Sequence, residues 1–244
     1  MAQRERVLPT GAMHLVFRIS PDPLQLFEHP ESATGYQVGH AVVGGARVGC
    51  YLRDVSRPAS SVGAMLRPGA ARLLFGVSAR ELSGRHTSLD ELWGSAALAI
   101  RERLHELHTP ERQLQYFEQV LLERLPRVRG VHPAIAQAIE SLAEGSEVKA
   151  IVADSGFSHR HFIALFEEAV GLTPKRYARV QRFRAVLTQL AEQPARPLAD
   201  IALAAGYADQ PHFNKDFREM AGISPSEYRR LLPRFPHHVP LRSS

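Results

Sequence analysis

The stretch that decides the fold lies at residues 200–230 and has the sequence DIALAAGYADQPHFNKDFREMAGISPSEYRR. A short apolar helix ends at Gly206, and a turn then leads into a second helix with phenylalanines on one face. The polar run Asn214, Lys215 and Asp216 is expected on the outer face of that second helix. A helix, a short turn and another helix together make a helix-turn-helix unit.

A looser copy of the pattern occupies residues 148–180, with the sequence VKAIVADSGFSHRHFIALFEEAVGLTPKRYARV. The offset between the copies is 50 residues up to the Gly-aromatic pair and 51 after it, so the second turn is one residue longer. The matched positions are Ile151/Ile201, Gly156/Gly206, Phe157/Tyr207, His161/His212, Phe162/Phe213, Phe166/Phe217, Gly171/Gly222, Pro174/Pro225 and Tyr177/Tyr228. Such a register indicates an internal repeat.

Both copies carry the same helix start and stop signals. Ser158 and Asp209 stand where a helix N-cap is expected. The expected left-handed caps and closing residues are Gly156, Gly171, Gly206 and Gly222. The expected buried residues are Phe162, Leu165, Phe166 and Ala169 in the first copy, and Phe213, Phe217 and Met220 in the second. The pattern therefore predicts two tandem helix-turn-helix units.

The second helix of such a unit enters the DNA major groove and presents its N-terminal outward side chains to base edges. The predicted base-contacting residues are His159, Arg160, Ile163 and Ala164 in the first copy, and Gln210, Pro211, Asn214 and Lys215 in the second. Gln and Asn suit adenine, Arg and Lys suit guanine, and Ile suits a thymine methyl group. The alternative is that these residues only solvate an outer helix face. Two copies with matching caps favour DNA.

A long helix is predicted between the copies, over residues 174–193. Its buried stripe would be Tyr177, Val180, Phe183, Val186, Leu187 and Leu190. About 18 helical residues span about 27 Å, close to the ~34 Å between successive major grooves on one DNA face. The predicted phosphate contacts are Ser158, Lys175, Arg176, Arg179, His212 and Arg218. A merely solvated basic face is the alternative, but cations beside a groove-reading helix supply sequence-independent affinity.

The part of the chain before these repeats has a different pattern. Short strands are predicted over 13–19, 36–44, 46–52 and 61–67. A helix is predicted over 68–76, with Pro68 at its first position and Gly76 just past its end. Two further helices, 88–107 and 110–125, are expected to pair as a hairpin. The apolar stripe of the second is expected to pack on its own domain, and a homodimer face is the alternative. The fold class is α+β, with a β-rich N-terminal domain ending in a helical hairpin and then an all-α domain. The predicted divisions are a sensor or dimerisation domain 1–125, a linker 126–132, a DNA-binding domain 133–234 and a tail 235–244.

Composition excludes several classes of protein. The single cysteine, Cys50, rules out a cysteine-based zinc finger and is expected to be a small buried side chain. No run of apolar residues has the length of a membrane span, and the N-terminus lacks a signal-peptide layout, so a cytoplasmic location is expected. His105 and His108 are three apart on a predicted helix and could share a metal, but solvated helix histidines are the favoured interpretation. No metal-binding motif is present before the linker and no catalytic motif is present, so we expect no metal, no cofactor and no enzymatic activity. The net charge of +5 is compatible with an anionic partner.

Residues 132–232 resemble the DNA-binding domain of the AraC/XylS family of bacterial transcription regulators. The resemblance rests on DSGFSHRHFIALFEEAVGLTPKRYARVQRFRAV (154–186) and on residues 200–230 with their Gly-Ile-Ser-Pro-Ser-Glu-Tyr-Arg ending. It implies seven helices, double-stranded DNA as the partner and asymmetric sites bound by one protomer. It also admits RNA polymerase, a homodimer and a small-molecule effector at the N-terminal domain. The first copy departs more from the family pattern, with SHRHF at its helix start.

The N-terminal domain weakly resembles that of one group in the family, through LRPGAARLLFGVSARELSGRHTSLDELWG (66–94). Two other functions stay open at this point. The N-terminal β domain could be a ligand-binding or enzymatic unit with the helical region as an accessory. The helical region could instead be a protein-interaction module without DNA affinity.

Overall fold

The computed structural model of the chain describes residues 3–125 and 130–241. The strands are β1 (Arg4–Val7), β2 (Met13–Arg18), β3 (Leu24–Phe27), β4 (Tyr36–Gly39), β5 (Ala41–Gly44), β6 (Tyr51–Asp54), β7 (Ser61–Leu66), β8 (His86–Ser88) and β9 (His238–Pro240). The helices of the first half are α1 (Ala70–Phe75), α2 (Ala79–Leu82), α3 (Asp90–Trp93), α4 (Ser95–Glu106) and α5 (Pro110–Arg124). The helices of the second half are α6 (Pro133–Ala143), α7 (Val148–Asp154), α8 (His159–Val170), α9 (Pro174–Glu192), α10 (Leu198–Ala204), α11 (Gln210–Ala221) and α12 (Pro225–Leu231). The second half therefore has the seven helices that the family resemblance implies.

Two antiparallel sheets form the first half, in the orders β4-β3-β6-β1-β9 and β7-β2-β5-β8. Burial alternates along β2, because successive side chains of a strand point to opposite faces. Leu15 and Phe17 are fully buried on the helix side, where the Phe17 ring meets Phe117 of α5 at 5.9 Å. His14 and Val16 belong to the opposite face, toward the other sheet. The second sheet is thus covered by the helical hairpin on one face and by the first sheet on the other.

The predicted strands are confirmed only in part. The run 36–44 forms two strands, β4 and β5, that belong to different sheets, and the chain turns between them at Gly39 with φ +142°. Of the run 46–52 only its end is extended, in β6. The prediction for Pro68 is wrong, because α1 begins after Gly69 at Ala70. The prediction that Gly76 follows the end of α1 is confirmed.

The helical hairpin is present, with α4 packed against α5. Gln113 of α5 donates hydrogen bonds to the carbonyl oxygens of Leu104 (3.3 Å) and Leu107 (2.7 Å), which joins the two helices at their turn. The predicted single helix over 88–107 is interrupted at Gly94, which separates α3 from α4. On α5, Leu114 stays exposed, so the homodimer face remains a prediction.

Part of the segment predicted as a tail, 235–244, forms a strand, β9, over residues 238–240. β9 pairs antiparallel with β1, with Val239 opposite Arg6, and closes one edge of the first sheet. Residues 237 and 238, assigned to the tail by sequence, instead line the interior of the N-terminal domain. A strand of three residues has no periodicity to detect, and its partner lies at the other end of the chain. Residues 242–244 lie outside the described part, as do 126–129 of the predicted linker.

The two buried cores do not follow the predicted domain boundary. One core combines the second sheet and helices α1 to α5 with the first helix-turn-helix unit, α7 and α8. The other core combines the second unit, α10 and α11, with Leu8 and Val239 from the two termini of the chain. The long helix α9 contributes to both cores. Each unit is therefore packed against a different part of the N-terminal domain.

Candidate DNA interface

Helix α8, the second helix of the first unit, starts at the predicted cap. The Ser158 hydroxyl accepts a hydrogen bond from the His161 backbone N–H at 3.4 Å, which satisfies one of the free donors of the first turn. His159, Arg160 and Ala164 are exposed, and Ile163 is half-buried. The four residues predicted to contact bases thus lie on one accessible face at the start of α8. Phe162 and Phe166 on the opposite face are fully buried.

Helix α11, the second helix of the second unit, has the same organisation. The Asp209 carboxylate accepts a hydrogen bond from the His212 N–H at 2.7 Å, and Pro211 lies in the first turn, where its missing N–H is not needed. Gln210, Pro211 and Lys215 are exposed, and Asn214 is half-buried. These are the four residues predicted to contact bases. As expected, Gly156, Gly171, Gly206 and Gly222 all have left-handed backbone conformations.

Helix α9 separates the two units as predicted, and its apolar stripe from Tyr177 to Leu190 is buried. It has 19 residues, so its length is about 28 Å. A groove of about 870 Å³ lies along it, between the start of α8 and the turn at Gly206. Ile163, Lys175 and Arg182 line this groove. Two of the residues predicted to contact bases, His159 and Ile163, thus share one concave surface with part of α9.

The six residues predicted to contact phosphate differ in their availability. Lys175, Arg176 and Arg218 are exposed and have no ion-pair partner among the described residues. The Ser158 hydroxyl is already engaged as a helix cap, and the His212 ring packs edge-on against Tyr207 at 5.5 Å. The remaining residue, Arg179, needs a correction.

Arg179 forms ion pairs with Asp216 and Glu219 of α11, so its guanidinium holds α9 to α11 within the protein. Asp216 also accepts a hydrogen bond from the Tyr207 hydroxyl at 2.8 Å. Burial, and then the neighbouring Asp216 carboxylate, raise the pKa of Tyr207 well above its usual range. Asp216 itself is only 6% exposed, so the expectation that it lies on the outer face of α11 is wrong. A phosphate contact by Arg179 does not fit this arrangement.

A difference between the two copies of the repeat indicates this network. At the positions of Tyr207 and Asp216 the first unit has Phe157 and Leu165, two apolar residues. An aspartate at a position that is apolar in the other copy indicates a buried carboxylate with a partner. Arg182 belongs to the basic cluster of α9 but is not among the six predicted phosphate contacts. Its guanidinium lies 5.3 Å from the Tyr207 ring centroid and faces the groove, so it joins the phosphate candidates.

The N-terminal domain contacts the C-terminal ends of both α8 and α11. Beside α8, Gly69 donates a backbone hydrogen bond to the Ala169 carbonyl at 2.8 Å. Beside α11, the Cys50 N–H donates to the Met220 carbonyl at 2.9 Å. Burial raises the pKa of the Cys50 thiol, as expected for a packed side chain. The N-terminal ends of α8 and α11, which carry the predicted base contacts, are left free by these contacts.

Comparison with known proteins agrees with this geometry. A model of a helix-turn-helix domain matches residues 156–231, which run from the first cap glycine through α12. This match and the relatives described below support the resemblance of the helical half to the AraC/XylS family. The match supports a DNA-binding role for this part of the chain. A second model, described as a domain of unknown function (DUF6597), matches residues 1–88.

Several curated AraC/XylS-type relatives are transcriptional regulators. The probable transcriptional regulator LumQ of Photobacterium leiognathi is 33% identical over 122 residues, which are 50% of this chain and 47% of LumQ. The activator RclR of Escherichia coli K12 is 29% identical over 135 residues, 55% of this chain and 44% of RclR. The regulatory protein SoxS of the same strain is 28% identical over 102 residues, 42% of this chain and 94% of SoxS. The match spans less than half the length of LumQ and of RclR.

The overall fold also has a solved counterpart. ToxT from Vibrio cholerae aligns over 96% of this chain and 98% of its own, with a TM-score of 0.50 and 9% sequence identity. At this identity the likeness concerns the fold alone: a β-rich N-terminal domain followed by a helical half. Among the described residues, no helix is both long enough and apolar enough to cross a membrane.

Proposed function

We propose that the chain is a sequence-specific regulator that inserts α8 and α11 into successive major-groove segments on one face of double-stranded DNA. The observation that carries the proposal is the repetition itself. Two capped helices, each with exposed polar residues in its first turns, stand on either side of a helix about 28 Å long. In this proposal His159, Arg160, Ile163 and Ala164 meet one groove segment, and Gln210, Pro211, Asn214 and Lys215 meet the next.

The phosphate contacts of the proposal follow from exposure. Lys175, Arg176, Arg218 and Arg182 supply positive charge, while Ser158 and His212 supply hydrogen-bond donors near the helix starts. Arg179 is left out because its charge is paired inside the protein. The regulator relatives favour a role in transcription over catalysis. As a regulator it would act on DNA in the bacterial cytoplasm. Contact with RNA polymerase and homodimerisation through α5 belong to the same proposal.

Selection of bound duplexes from a random library, at ~0.15 M salt, tests the proposal. We expect two short conserved elements about one helical turn apart. A single element would restrict base reading to one unit. Recovery of no preferred sequence, with affinity collapsing as salt rises, would leave only a basic surface.

A matched pair of variants assigns the contacts. Asn214→Ala should weaken binding to the selected site by about 1–3 kcal/mol and relax the preference at one base. Arg176→Ala should weaken binding about equally on all sequences and reduce the salt slope by about 1. Both are measured by titration of labelled duplexes at several salt concentrations. An equal loss on all sequences for Asn214→Ala would remove it from base reading.

A further inference from the structure

A cavity of about 280 Å³ lies between the two sheets of the N-terminal domain. Apolar side chains line much of it, among them Val7, Leu8 and Val16. The residues from 237 to 238, at the start of β9, form one of its walls. The cavity is therefore bounded both by the N-terminal sheets and by the segment that returns from α12.

One end of the cavity is lined by imidazoles and guanidinium groups. His14, Gly44 and His86 lie directly opposite one another on the neighbouring strands β2, β5 and β8. The glycine makes room for the rings, since a Cβ at Gly44 would lie 2.1 Å from a His14 ring carbon. The two imidazole centroids are 5.9 Å apart, and Tyr51 packs edge-on against His86 at 4.4 Å.

Arg47 brings a positive charge into this end of the cavity. Its guanidinium donates to the His86 Nδ1 at 3.1 Å and to the Gly45 carbonyl at 3.4 Å, and it lies over the Tyr51 ring at 4.5 Å. All three partners are neutral. Within residues 3–125 and 130–241, no carboxylate lies within ion-pair distance of Arg47. Burial lowers the pKa of Arg47, which reflects the cost of holding an unpaired charge away from water.

The other guanidinium group that lines the cavity, that of Arg53, is already paired. Arg53 forms a 2.8 Å ion pair with Glu5, and the second carboxylate oxygen of Glu5 lies 2.6 Å from the His238 Nδ1. The Glu5 carboxylate is therefore occupied and is not available to Arg47. Two further polar atoms are buried without a partner, the His86 Nε2 and the His237 Nδ1. The wall of the cavity thus carries one unpaired cation and, at His237, one unused hydrogen-bonding atom.

We infer that this cavity binds a small organic monocarboxylate, with its carboxylate on Arg47 and its apolar part against Val7, Leu8 and Val16. A planar guanidinium matches a carboxylate with two parallel hydrogen bonds. One unpaired charge suits a monoanion, and the apolar walls suit an organic body better than inorganic phosphate. The volume is near the lower end of the range for small-molecule sites. Binding at this site does not depend on DNA; its role as an effector site rests on the proposed function.

Binding is measured on the full chain without DNA, by calorimetry and by the shift in melting temperature. The probes are butyrate and benzoate, their neutral amides butyramide and benzamide, and inorganic phosphate. We expect the carboxylates to bind about 10- to 100-fold more tightly than the amides, which lack the charge. A preference for phosphate, or equal binding of acid and amide, would overturn the inference.

Arg47→Met and the control Arg112→Met, at an exposed arginine of α5, locate the site. Arg47→Met should lose the carboxylate response while the unliganded protein melts at the same or a higher temperature, because the variant removes an unpaired buried charge. Arg112→Met should respond to carboxylates as the unsubstituted chain does. Arg47→Met that melts lower and still binds carboxylate would make Arg47 a structural residue. Because these readouts contain no DNA, failure here leaves the DNA-binding proposal untouched, and failure of the DNA selection leaves this site untouched.

Discussion

The two helix-turn-helix units have the same helix boundaries and caps, yet their interiors differ in chemistry. The first unit has Phe157 and Leu165 at positions where the second has Tyr207 and Asp216. In the second unit these residues and Arg179 form a buried polar network that ties α10 and α11 to α9. The first unit packs the equivalent positions as partly buried apolar groups. One backbone arrangement is therefore stabilised in two ways, by apolar packing in the first unit and by a satisfied polar network in the second.

The units also differ in what holds them to the N-terminal domain. The first shares a continuous core with α1, α2 and the helical hairpin, and Arg72 pairs with its Glu168 at 2.5 Å. The second shares its core with Leu8 and Val239 at the edge of the first sheet, beside the cavity. The first unit therefore shares a continuous hydrophobic core with the N-terminal domain. The second is attached through a short segment that also lines the cavity.

The largest effect is expected from Asp216→Ala, which breaks the network of the second unit. It leaves Arg179 and the buried Tyr207 hydroxyl without their shared acceptor, so the free energy of unfolding should fall by about 3 kcal/mol. Urea denaturation followed by circular dichroism measures the change. The control Glu219→Ala removes a half-exposed partner of the same arginine and should cost under about 1 kcal/mol. Equal losses for the two variants would show that the network contributes nothing beyond a surface ion pair.

A smaller effect is expected when the attachment of the second unit is weakened. Val239→Ala removes two methyl groups from a fully buried position and should cost about 2 kcal/mol. The matched change in the first unit is Val152→Ala, on α7. Thermal unfolding gives the stability change, and footprinting on the selected DNA shows which element loses protection. Val239→Ala should reduce protection of the DNA element assigned to the second unit, and Val152→Ala should reduce protection of the element assigned to the first. Loss of protection at the same element in both variants would contradict separate attachment of the two units.

Mild acid should weaken the attachment of the second unit to the N-terminal domain before that of the first, because the second unit is attached through the segment that lines the cavity of His14. Burial, and then the charge of Arg47, lower the pKa of His14 to about 4 and that of His86 to about 2. The unfolded chain binds these protons near pH 6.5, so stability is fully present above that pH and falls as the pH drops toward 4. Each imidazole contributes a slope of about 1.4 kcal/mol per pH unit in this window.

Both imidazoles stay neutral while the cavity is closed, so they can take up protons only when its wall opens. The segment 237–240, which contributes to that wall, should therefore loosen first as the pH falls. Limited proteolysis between pH 7.5 and 5, two values on either side of the ~6.5 reference pKa, should therefore cut near α12 before it cuts near α7. His14→Phe is the control that reduces the slope. Earlier cleavage at α7 would contradict this order.

The helical half could be predicted from sequence because each of its signals is local. The caps at Ser158 and Asp209, the closing glycines and the stripes of α8, α9 and α11 lie within a few residues of the features they determine. The strands β1, β3, β8 and β9 have three or four residues each, too few for alternation to stand out. The burial of Asp216 and the pairing of Arg179 depend on a contact between helices. The carboxylate cavity depends on strand register, which sets His14, Gly44 and His86 in a row. The contact between the helices and the strand register cannot be predicted from the local sequence pattern.

The pairing of β9 with β1 has a consequence for how the protein folds. Arg6 and Val239 are opposite each other but 233 positions apart along the chain (239 − 6). Contacts between residues so far apart are among the slowest to form, although the entropy of closing such a loop grows only with the logarithm of its length. The first unit can pack on the helices that precede it in the chain. The second unit completes its core only after β9 has paired with β1, because that core includes Leu8 and Val239. We therefore expect α8 and α11 to reach their final positions one after the other, with α8 packed before α11.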